Sequence, residues 1–145
     1  MQADKNVETL NSLLRGEISA VETYDQALEK MNDDASIAGQ LRQCRSSHEQ
    51  RVRVLRSEVA RRGGKPVAGS GPWGTFAKLV EGSAKAFGKK AAIAALEEGE
   101  DHGLKQYRDD LPKLDGTIRS TLEPQLMTAQ EQTHRVLSTL KHTLQ

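Results

Sequence analysis

The chain has one cysteine, Cys44, so no disulfide can close within it, and a reducing compartment is the setting this fits. Aromatic residues make up 3% of the 145 residues, so a core has to be filled by Leu, Val, Ile and Ala. Excess charge of one sign is missing too: the formal net charge is +1 although 28% of the residues are charged. That balance argues against a dedicated nucleic-acid binder, which carries a basic excess. No apolar run reaches the roughly 18 residues a membrane span needs, and the first residues lack the apolar centre of a signal peptide. The expectation is a cytoplasmic protein with no membrane and no nucleic-acid partner. Strand-like alternation is absent. Instead there are long proline-free stretches of Ala, Leu, Glu, Lys, Gln and Arg, which favour helix.

These stretches predict an all-α fold with one domain over residues 1–145. Leu10, Leu14, Glu17, Val21, Tyr24, Leu28 and Met31 recur at steps of three and four, one face of a helix from about Asp4 to Met31. A second helix is expected over Ala35–Arg61, capped by Asp34 and stopped by Gly63-Gly64, with Ile37, Leu41, Cys44/Arg45, His48, Val52, Leu55 and Val59 inward. Residues 63–75 read as a Gly/Pro-rich linker, followed by a short helix over about 75–87. A third helix is expected from Lys89 to Leu111, with Pro112 stopping it. The fourth ends near Leu144 and either begins at Asp115 and kinks at Pro124 or restarts at Thr121. Its expected inner line is Met127, Glu131, His134, Leu137, Leu140 and Leu144. The architecture predicted is an antiparallel four-helix bundle with a long crossover that contains a short extra helix.

The first and third helices copy each other. Gly16-Glu17 is followed by Tyr24 and Leu28, and Gly99-Glu100 by Tyr107 and Leu111, at identical offsets. Downstream come Arg45-Ser-Ser-His48 and Glu131-Gln-Thr-His134. A lone carboxylate on two helices with Glu-x-x-His on the other two is the ligand set of carboxylate-bridged di-metal bundles. Here one member differs, since Arg45 stands where a carboxylate belongs. Glu17, His48, Glu100, Glu131 and His134 are the candidate ligands, of a kind that suits iron, manganese or zinc. Arg45, Tyr24 and Tyr107 surround them. The tyrosines lie seven residues past the glutamates, about 10.5 Å along the axis, too far to share a metal with them, so each either donates to the carboxylate of the other repeat or is a core tyrosine with its hydroxyl satisfied elsewhere. Three carboxylates carry minus three. One divalent ion plus Arg45 balances that, and two do not. The expectation is a single iron or manganese ion at Glu100, Glu131 and His134, or no metal, with Arg45 bridging carboxylates.

The Gly-Glu…Tyr repeats, the Gly-rich linker with Trp73 ahead of a short helix, and the Glu131…His134-Arg-Val ending resemble a bacterial family of short ferritin-like bundles of unassigned function. The resemblance spans about residues 7–140. It implies the ferritin-like fold and the same five candidate ligands. Two functions follow as expectations: a degenerate carboxylate–histidine metal centre with oxidase-type chemistry on ferrous ion, or a metal-free, non-enzymatic interaction or stress-related module with Arg45 as its internal counter-ion. A homo-oligomer, such as a dimer, is the expected assembly. Glu22, Glu97 and His102 are expected to be solvated, with Glu97, one turn before Glu100, a substitute for it as the alternative; His142 is expected to be inert and Cys44 to be a small core residue.

Overall fold

The structure, a computed structural model, describes residues 2–71, 82 and 88–144. Helix α1 spans Gln2–Lys30, α2 Ala35–Arg61, α3 Lys89–Asp110 and α4 Gly116–Thr143, with a 3-10 turn at Leu111–Lys113 between the last two. The described residues contain no strand. The short helix expected over 75–87 and the role of Trp73 lie outside the described residues.

Local chemistry explains the ends. The Asp34 side chain accepts a hydrogen bond from the Ile37 N–H at 3.1 Å and so caps α2. Gly63 has φ 78, and the N–H groups of Gly63 and Gly64 return to the carbonyls of Ala60 and Val59, which closes the C-terminus. Helix α4 does not restart at Thr121. It is continuous from Gly116, and Pro124 sits inside it on the exposed side.

Two contacts fix the directions. Lys89 at the start of α3 pairs with Asp34 at the start of α2, 3.5 Å apart. Asn6 near the start of α1 donates to the Asp115 carboxylate at 2.9 Å, and its carbonyl accepts from the Asp115 N–H at 3.1 Å, ahead of α4. Helices α2 and α3 are therefore parallel and diagonal, and so are α1 and α4. Each packs against two antiparallel neighbours, with α1–α2 and α3–α4 the most extensive contacts. The connection from α2 to α3 must consequently travel the length of the bundle. Its described part starts up α1: Gly64 lies against Val7, Asn11 bonds to the Lys65 carbonyl and the Val67 N–H, and Gly71 lies against Arg15.

The core is two apolar clusters with a polar layer between them. One gathers Ala27, Met31, Ile37, Leu41, Ile93, Leu96, Leu137 and Leu140 around Tyr24. The other gathers Leu10, Leu13, Leu14, Leu55, Val59, Leu111, Ile118, Leu122 and Leu126 around Tyr107. At roughly 1.5–3 kcal/mol for each large aliphatic side chain buried, these clusters supply the cohesion. The buried residues between them are Glu17, His48, Arg51, Glu100, Gln130 and Thr133.

Candidate functional site

Glu17 and Glu100 enter the polar layer from the adjacent, antiparallel helices α1 and α3. Because the helices run oppositely, a tyrosine two turns past one glutamate arrives at the other. The Tyr24 hydroxyl donates to Glu100 Oε2 at 2.5 Å, and the Tyr107 hydroxyl donates to Glu17 Oε2. Of the two readings open for the tyrosines, this is the crossed pairing.

His48 of α2 joins the two halves. Its Nδ1 is 2.5 Å from Glu17 Oε1 and its Nε2 is 2.7 Å from Glu100 Oε2. With a carboxylate at each ring nitrogen, both nitrogens carry hydrogen, and the ring is an imidazolium. Burial disfavours that charge, but Glu100 and Glu17 outweigh it and raise the pKa above the usual 6.5. Tyr24 stacks on the ring, with centroids 5.3 Å apart.

Arg51, one turn past His48, brings the second cation. Its guanidinium donates to Gln130 Oε1, to Thr133 Oγ1 at 3.1 Å, to Ser47 Oγ at 3.1 Å and, at 3.4 Å, to Glu17 Oε2. Gln130 and Thr133 of α4 complete the layer: Gln130 Nε2 and Thr133 Oγ1 donate to Glu100 Oε1 at 2.9 and 2.7 Å. Two carboxylates thus face an imidazolium and a guanidinium, and the layer is neutral. Burial pushes both carboxyls up, yet Arg51 and His48 take Glu17 down from 4.5 to about 2, and His48 chiefly lowers Glu100. Burial and the facing carboxylates push both phenols well above 10, and burial pushes the Cys44 thiol up to about 12. Among the described residues, no buried side-chain nitrogen or oxygen lacks a hydrogen-bond partner.

Of the five candidate ligands, Glu17, His48 and Glu100 meet in this layer. Glu131 and His134 do not. Glu131 is exposed, and His134 is half-buried at the rim, with Nε2 against Asp101. The inner line of α4 is Ile118, Leu122, Leu126, Gln130, Thr133, Leu137 and Leu140, one residue out of step with the expected line over its middle turns. One residue is about 100° of rotation, enough to turn Glu131 outward. Arg45 does not face the layer either. It lies on the outer side of α2, 2.5 Å from Asp25 and 3.1 Å from Glu49, and bridges no interior carboxylate. The internal arginine is Arg51. The pairs three residues apart that do face inward are His48/Arg51 and Gln130/Thr133. They stand 31 and 34 residues past Glu17, and 30 and 33 past Glu100. Glu97 pairs with Lys141 at 3.0 Å, away from the layer.

A narrow slot between α1 and α3 reaches this layer. It is walled by Gly16, Ala20, Gly99 and Gly103, touches both tyrosines and both glutamates, and has a cavity of about 40 Å³, room for a water molecule.

The layer does not fit a resident metal as it stands. Ligands about 2.0–2.2 Å from one ion sit about 3 Å or more apart, farther than the His48–carboxylate distances allow. Each carboxylate oxygen already accepts from at least one protein donor. Among the described residues, no group of three or more His, Cys, Asp or Glu side chains is arranged to hold an ion.

Residues 5–113 match a protein family described as a domain of unknown function, DUF2383. The chain belongs to that family. The DUF2383 match takes in α1, α2 and α3 with Glu17, His48, Arg51, Glu100 and both tyrosines, and stops before Gln130 and Thr133 on α4. None of the curated proteins and none of the solved structures matches the chain significantly.

Proposed function

We propose that this DUF2383 protein is a ferritin-like bundle that works without a resident metal, as a non-enzymatic interaction module. The ferritin-like reading is supported by the hairpin–crossover–hairpin order and by the lone carboxylates of α1 and α3 meeting at mid-bundle. One observation carries the metal-free reading: Glu17 and Glu100 are already neutralised by His48, which bridges them, and by Arg51. A buried carboxylate pair needs cations, and here the chain supplies both.

The interior is also chemically quiet near neutral pH. The carboxyls are poor bases, the phenols and the thiol stay protonated, and the imidazolium has no free lone pair. Work done by such a protein falls to its surface. A self-associating bundle, for example a dimer, is part of this reading, and light scattering on the purified protein tests it.

Thermal unfolding with and without manganous, ferrous or zinc ion tests the metal-free claim. A ligand that binds only the folded state raises its melting temperature by mass action. The expected result is no rise at saturating ion. A rise that grows with ion concentration and is lost in Glu100→Gln restores the metal-centre reading.

A further inference from the structure

We infer that Arg51 is a built-in cation plug: its guanidinium keeps divalent metal out of the Glu17–His48–Glu100 layer, and removing its charge turns that layer into a single-ion metal site. This inference rests on the metal-free reading above and adds the residue that enforces it.

The argument is one of charge and donors. A divalent ion bound between the carboxylates has to replace a ring proton of His48, which leaves to solvent. With Arg51 present, the two carboxylates then face a dication, a guanidinium and a neutral imidazole, and one positive charge stays uncompensated in a buried layer. Without Arg51, the same ion and the same carboxylates sum to zero. A dication and a guanidinium held close together in a buried layer repel strongly, so even a partial relief of that repulsion amounts to a roughly hundredfold difference in affinity.

The way Arg51 is held supports a plug over an ordinary ion pair. Its guanidinium rests mainly on neutral oxygens, those of Gln130, Thr133 and Ser47, and its closest approach to Glu17 is 3.4 Å. Those oxygens belong to α2 and α4, the two helices that lend the layer no carboxylate. The side chain therefore occupies the ground between the carboxylate helices and their opposite pair. Removing it also leaves Gln130, Thr133 and Ser47 oxygens, which are hard donors suited to divalent ions.

The test titrates cobaltous ion into the wild-type protein, Arg51→Gln and Arg51→Lys, and follows the visible ligand-field bands and calorimetric stoichiometry. Arg51→Gln is expected to bind one ion at least about a hundredfold more tightly than wild type. Arg51→Lys keeps the charge and stays metal-free, and adding Glu100→Gln to Arg51→Gln abolishes binding. A folded Arg51→Gln protein no tighter than wild type overturns the inference and leaves the metal-free reading intact. Tight binding by wild type itself overturns both the metal-free reading and the inference that rests on it. Should Arg51→Gln be unfolded without ion, helical circular dichroism that returns on adding cobaltous ion supports the plug, and no return overturns it.

Discussion

His48 Nδ1 lies 2.5 Å from Glu17 Oε1 although the two residues are 31 apart and on different helices. The same ring reaches Glu100 through its other nitrogen. One side chain thereby ties α1, α2 and α3 together, and its charge state governs how the bundle responds to acid and base.

Stability is expected to fall on both sides of a mildly acidic plateau. Glu17 has its pKa lowered from 4.5 to about 2, so its contribution is complete above pH 4.5 and is lost as pH falls toward 2. His48 has its pKa raised above 6.5, so its contribution is complete below pH 6.5 and is lost as pH rises through the folded value. Urea midpoints measured across this range should show both limbs. His48→Gln should remove the alkaline limb, and an alkaline limb of unchanged size in that variant counts against the assignment.

The two arginines near the expected site should differ sharply. Arg45 sits part-exposed beside Asp25 and Glu49, so Arg45→Ala should cost about 0–1 kcal/mol. Arg51 is buried with five acceptors around it, so Arg51→Ala should cost about 3–5 kcal/mol by leaving the carboxylates under-compensated. Chemical denaturation measures both. Equal costs would contradict the placement of the counter-ion.

Neither tyrosine should ionise while the bundle is folded, because burial and the facing carboxylates hold both phenols well above 10. Tyrosinate absorbance in an alkaline titration should therefore appear together with loss of helicity, not before it. Tyr24→Phe keeps the ring against His48 but removes a donor from Glu100, and it should cost about 1.5–3 kcal/mol.

Glycines 16 and 103 should respond in opposite directions to alanine. A Cβ on Gly16 meets the tip of the Gln106 side chain, which is part-buried and can move. The helical preference of Ala over Gly, about 1 kcal/mol, then makes Gly16→Ala neutral or stabilising. A Cβ on Gly103 falls 2.7 Å from Gln130 Nε2, which is buried and bonded to Glu100. Gly103→Ala should therefore destabilise, and thermal melts of the two variants compare them directly.

Much of this was legible in the sequence. Asp34 and the Gly63-Gly64 pair mark the ends of α2, and the Glu17…Tyr24 and Glu100…Tyr107 repeats give both the inward carboxylates and their crossed tyrosines. The register of α4 was not legible from its motif. Glu131 and His134 match a ligand pattern, but the apolar residues Ile118, Leu122 and Leu126 step by four toward Gln130, and those apolar contacts set the rotation. Arg51 reads as part of a basic, solvated surface because four of the residues from 53 to 62 are also arginine. Its spacing from Cys44, His48 and Leu55 was the signal that it faces inward.

The central layer also settles which half of the chain pairs with which. The α1–α2 hairpin brings Glu17, His48 and Arg51, an excess of one positive charge. The α3–α4 hairpin brings Glu100, an excess of one negative charge. Two copies of the second hairpin would enclose two carboxylates with no cation from this layer to meet them. The unlike pair gives the one imidazolium of His48 a carboxylate from each repeat, so each repeat supplies what the other lacks.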